Sequence, residues 1–367
     1  MPNDNSLKTS GELYFIGERD PVTEEISPWF KIGLVKYGVV DEVNPEVEGR
    51  TSEVRLKEHQ TGNPRDLFVR HKLTTPAVSF LENKIHRLYA RVRVRGEWFR
   101  LSDELLETII AHAEMLASQL RELEEVIVHA DDFAASPSTD EIAQPTDDVL
   151  TWHERWLCAT VELTEISHIR KKIAAALSAA EAKGEDVSRA ATIKQETRTS
   201  FDKKRLEEEF PAIYQEFIEF APKLRGNFMV VRTGVKDRTL AEINPALEAT
   251  LGRIAEALID VEAGRKPAEG LSEYQLELEP IQANAEWMKE LAECVIKFSN
   301  GAGKEIQGVC KWNRRIEQVP VFNQAAFEAS YPDLKAQLMK VTTFERVVPE
   351  NKNRQLGAEA DSAEVNP

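Results

Sequence analysis

Two pairs of reactive side chains stand four residues apart in this chain, Arg55 with His59 and Glu82 with His86. On α-helices each pair shares one face. Tyr14 and Lys31 lie in apolar segments that read as neighbouring strands. A guanidinium can grip a phosphate through two hydrogen bonds and steady the charge that builds up in a transition state. A carboxylate can hold a hard divalent cation that also binds phosphate oxygens and water. A phenol, imidazole or amine within hydrogen-bond reach can take a proton from that water. Gathered in one cleft, these groups are the parts of a one-metal phosphodiesterase. Each also has a plainer reading: Arg55 and Glu82 as surface charges, His59 and His86 as surface or core-edge histidines, Tyr14 as core. Trp98 and Phe99 read as core.

The elements that would position them follow from local pattern. Glu12–Gly17 reads as a short strand ending in a glycine turn and Trp29–Val35 as a second strand. Glu18–Pro28, acidic and with two prolines, reads as a loop between them. A long acidic insertion, 36–52, precedes a helix that Thr51 or Ser52 can cap and that Gly62-Asn63-Pro64 stops. Asp66–Thr74 has strand composition. A helix over 76–91 would carry Phe80, Leu81, Ile85 and Leu88 on one side, and 92–101 reads as one short strand. Ser102 can cap a long amphipathic helix running to about Val128. Strands and helices mixed in this way make a small α+β domain over 11–101, followed by a connecting helix, 102–133, and a Pro- and Ser-bearing linker, 134–148.

With 367 residues, 42% hydrophobic and 30% charged, the composition is that of a soluble globular protein of two or three domains. No apolar run approaches the ~20 residues of a membrane span, and Met1–Ser10 lacks a signal-peptide core. Three widely spaced cysteines, Cys158, Cys294 and Cys310, suit neither a disulfide framework nor a zinc site. A reduced, cytoplasmic protein with no membrane association is expected. The net charge of −16 is unevenly spread: residues 1–100 carry 16 basic and 15 acidic groups, and 101–367 carry 31 and 48. Within 55–100 there are 11 basic residues and 4 acidic ones. Such asymmetry suggests a polyanion-binding module joined to something else, with Lys57, Arg65, Lys84, Arg87, Arg91, Arg93 and Arg95 as candidate DNA contacts.

The ordered set Leu-Tyr14-Phe-Ile, Lys31-Ile-Gly33, Arg55-Leu-Lys-Glu-His59-Gln-Thr-Gly-Asn-Pro64, Leu-Glu82-Asn-Lys-Ile-His86 and Gly96-Glu-Trp-Phe99 resembles the GIY-YIG endonuclease superfamily. More narrowly it is similar to the phage and bacterial branch related to the meiotically up-regulated gene 113 product. The resemblance covers about residues 11–101 and implies a small α/β sandwich with endonuclease activity. It implies that Tyr14 is the first-motif tyrosine, a general base or water-orienting group, and that Lys31 replaces the second tyrosine and lowers the phenol's pKa or contacts phosphate. It further implies that Arg55 binds phosphate, that His59 is the polar residue one turn later, and that Glu82 is the sole metal-binding carboxylate. His86 would be a neighbour in the cleft. The long gap between the first two motifs and the acidic 36–52 insertion depart from the family pattern; a negative loop there could hinder or gate DNA.

Past the linker the chain repeats itself. Phe201-Asp-Lys-Lys-Arg-Leu206-Glu-Glu-Glu-Phe210-Pro211-Ala-Ile213 matches Phe322-Asn-Gln-Ala-Ala-Phe327-Glu-Ala-Ser-Tyr331-Pro332-Asp-Leu334 at a constant offset of 121. Each copy is expected to follow a helix (near 152–182 and 272–298), a glycine turn and a polar strand, and to end in an apolar strand, Asn227–Val231 or Phe344–Val348. The copies would span 149–236 and 271–349, joined by a helical connector, 237–270, and followed by a disordered tail, 350–367. Two copies make a duplicated domain rather than a solenoid. The duplicated segment faintly resembles one at the C-terminal end of YqaJ-type phage recombination exonucleases, whose catalytic core is absent, so no catalytic residue is transferred. A helix-rich, acidic scaffold for self-association or a protein partner is the expectation. The expected function is Mg²⁺- or Mn²⁺-dependent hydrolysis of DNA in a phage or mobile-element setting. The alternatives are a non-catalytic nucleic-acid-binding module and a structural adaptor.

Overall fold

The computed structural model describes residues 7, 9–37, 51–188 and 190–349. Positions 38–50 of the expected acidic insertion and the expected tail, 350–367, lie outside the described residues. The elements in chain order begin with strands β1 (Gly11–Arg19) and β2 (Ile26–Lys36), helix α1 (Ser52–Gln60), β3 (Asp66–Thr75), α2 (Val78–Leu88), β4 (Arg93–Arg95), β5 (Trp98–Arg100), α3 (Asp103–Glu122) and α4 (Glu124–His129). The expected α+β class holds.

The five strands form one antiparallel sheet in the order β3-β1-β2-β5-β4. β1 lies between two partners and is covered on both faces, which is why Leu13, Tyr14, Phe15 and Ile16 are all buried in succession. Leu13 and Phe15 face the main core with Phe30 and Ile32, beneath α2 and α3. Tyr14 and Ile16 face the opposite way with Val35, into a smaller cluster that Leu56 of α1 covers. Because residues directly opposite across strands share a face, the pairs Tyr14↔Gly33 and Ile16↔Lys31 put Lys31 on the α1 side. Gly33 is needed there: a Cβ on it would lie 2.6 Å from the Tyr14 hydroxyl.

Both leading strands are longer than expected, and the presumed Glu18–Pro28 loop shrinks to a turn that Asp20 organises by accepting hydrogen bonds from the Val22 and Thr23 amides at 2.9 and 3.0 Å. The segment 92–101 is a hairpin rather than one strand, because Gly96 takes a positive φ of 57° and reverses the chain. The expected long helix from Ser102 breaks at Leu123, whose φ of −103° and ψ of 13° leave the helical range.

The rest of the chain comprises β6 (Ile142–Ala143), α5 (Asp147–Ala182), β7 (Ala191–Phe201), α6 (Lys203–Glu209), α7 (Pro211–Glu216), β8 (Ile218–Arg225), β9 (Met229–Val230), α8 (Leu240–Ile243), α9 (Pro245–Glu262), α10 (Leu271–Asn300), β10 (Glu305–Ile306), β11 (Cys310–Lys311), β12 (Arg315–Phe322), α11 (Gln324–Ser330), α12 (Pro332–Gln337) and β13 (Met339–Pro349). The segment read as a linker is partly ordered: β6 lies within it and pairs with β10, and the Ser138 amide donates to the Arg314 carbonyl at 2.8 Å.

The duplicated motif folds twice into the same pair of short helices, capped by Asp202 in one copy and Asn323 in the other and broken by Pro211 and Pro332. The closing strand of the first copy is β8, not the expected Asn227–Val231, whose Met229–Val230 joins a separate four-stranded sheet with β6, β10 and β11. The copies exchange strands: β7 pairs with β13, and β12 with β8. The Asp202 amide donates to the Leu338 carbonyl (2.9 Å) and the Asn323 amide to the Phe217 carbonyl (2.8 Å), a reciprocal pair at the same offset as the sequence repeat. One shared core, with Leu206 and Tyr214 from the first copy and Phe327 and Leu338 from the second, lies between them.

Helix α10 joins the two halves. Trp287, Leu291 and Cys294 enter the main core of the N-terminal domain, and Trp287 stacks on Phe80 at 4.4 Å and 6°. Beside this contact Arg87 is held by Glu279 at 2.8 Å and by Glu286, Lys84 donates to Asn284, and Arg91 meets Glu273 at 3.3 Å. Arg170 of α5 shares Glu279 at 3.0 Å. Removing one member of such a mostly buried network leaves its partners' charges uncompensated. Arg87→Ala is expected to cost about 2–3 kcal/mol in urea unfolding. A double Arg87→Ala/Glu279→Ala variant should cost less than the sum of the two single changes.

Candidate active site

The cleft lies where α1, the α1-facing side of β1 and β2, the β4–β5 turn and α2 meet. α1 is anchored at its start by Thr51, whose hydroxyl accepts from the Val54 amide, and by Glu12 of β1, which accepts from the Ser52 amide at 3.1 Å. At its end Gln60 donates to the Arg65 carbonyl and accepts from the Leu67 amide, both at 2.8 Å, fixing the helix to β3. These ties hold Arg55 and His59 over the face of the sheet that carries Tyr14 and Lys31.

β5 pairs with only Trp29–Lys31 of β2, and the Ile32 amide donates to the Glu97 carbonyl at 3.0 Å. The Ile32 carbonyl on that same edge would lack a strand partner. His86 supplies one, its Nε2–H donating at 2.8 Å, while the ring tilts against Phe99. Burial pushes this imidazole down to about 4. His86 is thus a neutral tie between α2 and β2 behind the cleft, and not the reactive group the sequence suggested. One turn earlier, Glu82 emerges at the same edge.

Burial, then the nearby Glu97 carboxylate, raises Glu82 to about 7, against the pull of Arg93, Lys31 and Lys36. Tyr14 is pushed up to about 12 by burial and by Glu97, with Arg55 opposing. The residue that eases the phenol's ionisation is therefore Arg55, whereas Lys31 is engaged in an ion pair with Glu97 at 2.7 Å. Burial works against the Arg55 charge, but Glu58, at 2.6 Å, and the Tyr14 hydroxyl outweigh it. His59 is lowered by burial and by the charges of Lys31 and Arg55, so its ring is neutral at pH 7. Its Nε2 is buried and has no hydrogen-bond partner among the described residues.

Five of the sequence-selected residues, Tyr14, Lys31, Arg55, His59 and Glu82, thus share one electrostatic neighbourhood. Glu97, to which sequence reasoning assigned no role, is the group that Tyr14, His59, Glu82 and Arg93 all feel. Its signal was the Gly96-Glu97 pair between two short runs, which is the pattern of a two-residue hairpin turn. Of the candidate DNA contacts, Lys57, Arg65 and Arg95 are exposed and Arg93 borders the cleft. Lys84 and Arg87 are corrections: Lys84 is buried against α10, its amine pushed down to about 7 by that burial, and Arg87 sits between two α10 carboxylates. Arg91, exposed, also pairs with α10.

Among the described residues no group of three or more His, Cys, Asp or Glu forms a metal cage. Glu82 nevertheless fits a hard cation: it is a largely buried carboxylate beside a second one, and it makes no hydrogen bond or close ion pair among the described residues. Mg²⁺ is commonly held by one or two carboxylates, with water and substrate phosphate completing its shell.

The sheet and its flanking helices define a small α+β domain whose cleft mixes cations and carboxylates. Residues 14–114 match the T5orf172 domain family, a domain associated with GIY-YIG-like and HNH-type nuclease folds. No curated protein and no solved structure matches the chain.

A carboxyl raised in the folded state favours its protonated form. The stability it contributes is whole below its ordinary value of 4.5 and is lost as the pH rises through about 7. Glu82→Gln is therefore expected to be more stable than wild type by about 1–3 kcal/mol at pH 8 and no more stable at pH 4, as read by urea unfolding.

Proposed function

We propose that the N-terminal domain hydrolyses nucleic-acid phosphodiesters, with DNA as substrate and Mg²⁺ or Mn²⁺ as the ion. The observation that carries this reading is the buried Nε2 of His59, without a hydrogen-bond partner among the described residues, beside Arg55 and Tyr14. Burial, Lys31 and Arg55 lower the pKa of that imidazole. The T5orf172 match over the same residues supports a nuclease-like, DNA-related role.

In this reading Arg55 binds the non-bridging oxygens of the scissile phosphate and stabilises the added negative charge of the pentavalent state. Tyr14, a neutral phenol at pH 7, orients the attacking water and does not take its proton. His59 Nε2 accepts that proton as the new oxygen–phosphorus bond forms, and the leaving alkoxide is protonated from solvent. Burial and, after it, Lys31 lower the His59 imidazole, and burial and, after it, Glu97 raise the Tyr14 phenol, so the Lys31–Glu97 pair tunes both groups. Glu82 would hold the ion, which supplies Lewis-acid polarisation of a phosphate oxygen when bound.

Supercoiled plasmid with Mg²⁺ or Mn²⁺ is expected to be nicked or linearised, and a chelator to abolish this. Arg55→Ala should lower the rate by about 10²–10³-fold with its unfolding midpoint near that of wild type. A folded Arg55→Ala protein that cleaves at the wild-type rate would defeat the assignment. Apart from activity, Mg²⁺ should stabilise wild type at pH 8 and leave Glu82→Gln unmoved. Salt-dependent binding without turnover in any metal would replace this reading with a non-catalytic nucleic-acid-binding module.

A further inference from the structure

The acidic C-terminal half contains a groove of about 690 Å³ along α5 between Thr160 and Ala175, closed by Lys289 of α10 and by Arg232 just beyond β9. Its ionisable lining groups are His168, Lys171, Lys172, Arg232 and Lys289, and no carboxylate lines it. Several cations elsewhere in this half are paired: Arg170 with Glu279 at 3.0 Å, Arg265 with Asp260 at 2.8 Å, Arg238 with Glu154, Arg253 with Glu277. In the groove none of the four cations has an ion-pair partner among the described residues. In a region where acids outnumber bases, 48 to 31, such a gathering runs against the average field.

The gathering is also built. Lys289 and Arg232 come from different elements, yet both lie over the ring of the buried Trp156, at 5.4 and 5.9 Å. The indole face offsets part of their mutual repulsion. The Arg232 backbone is held to α5 by His153, whose Nε2–H donates to the Val231 carbonyl at 2.8 Å. Along α5, Thr164, His168, Lys171, Lys172 and Ala175 follow one another at helical spacing, so hydroxyl, imidazole and amine groups line one wall. Fifteen residues at the helical rise cover roughly 22 Å, about six steps of one duplex strand. A compact anion would fill only part of that length. A linear polyanion fits it.

We propose that this groove binds the phosphodiester backbone of a nucleic-acid strand, as a second contact outside the cleft around Arg55 and Glu82. The choice of nucleic acid over other linear polyanions rests on the reading of the N-terminal domain given above. The groove gives the chain a hold on its substrate along α5, outside the N-terminal domain.

The test uses the full chain and a Lys171→Ala/Lys172→Ala/Arg232→Ala variant. Anisotropy of labelled 20-mer single-stranded and duplex DNA is measured at 50 and 200 mM salt, beside plasmid cleavage. The triple variant should bind about tenfold or more weakly at low salt. Its plot of log affinity against log salt should be shallower by roughly one unit for each cation removed. A Lys171→Glu/Lys172→Glu variant, confined to exposed positions on α5, should lose binding in the same direction and serves if the loss of Arg232 from Trp156 disturbs folding. Wild-type affinity and slope in both folded variants would overturn the proposal. So would a wild-type chain that binds neither DNA. Plasmid cleavage that persists alongside unchanged binding by the variants removes the groove and leaves the active-site reading standing.

Discussion

Arg87 stands between Glu279 and Glu286, and the arrangement of the whole molecule follows from what that pairing requires. Two carboxylates one helical face apart on α10 would repel each other. A guanidinium between them removes that cost and, being planar and many-donored, fixes the angle at which α2 meets α10. Trp287 then reaches Phe80, and the two halves share one apolar core. The basic excess of 55–100 is in part an internal complementarity to the acids of α10. Glu82 lies on α2 as well, so the helix that docks the C-terminal half also carries the carboxylate of the cleft.

The cleft is governed by one acid. Glu97 holds Lys31, raises Glu82 and Tyr14, and tempers the lowering of His59. Its position at a two-residue turn gives it a defined direction without a helix of its own. The result is a site whose groups differ in protonation at one pH: His59 is neutral, Tyr14 is un-ionised, Glu82 is near its midpoint and Arg55 is charged. Burial is the first cause of the shift at Tyr14, His59 and Glu82, so the apolar packing around Tyr14, Ile16 and Leu56 is part of the site's chemistry.

Much of this was legible in the sequence because it is local. The i, i+4 spacing placed Arg55 with His59 and Glu82 with His86 on shared helix faces, the caps at Thr51 and Ser102 marked helix starts, and the offset of 121 announced the duplication. What was not legible depends on partners distant in sequence. His86 looked like a reactive group until the bare carbonyl of Ile32 claimed it. Lys84 and Arg87 looked like phosphate contacts, because nothing in their own segment reveals that α10 offers carboxylates and an amide 192 to 200 positions later. The strand after the first repeat was misplaced because Asn227–Val231 is more apolar than β8. The exposed, two-stranded β8 has little apolar burial to signal it, and its register comes from β12.

The exchange of strands between the two copies bears on how the chain is made. A ribosome releases β7 long before β13, so the first copy emerges with its neighbouring strand unwritten and its half of the shared core open to water. At usual elongation rates the wait for β13, whose residues lie 138 to 158 positions beyond their β7 partners, is on the order of 10 s. During that interval β7 and β8 present unpaired edges that any similar strand could occupy, including those of a second nascent copy. Helix α10, which completes the N-terminal core, emerges within the same window. The protein must therefore be nearly finished before either of its halves can close, and its vulnerable period belongs to synthesis rather than to the folded state.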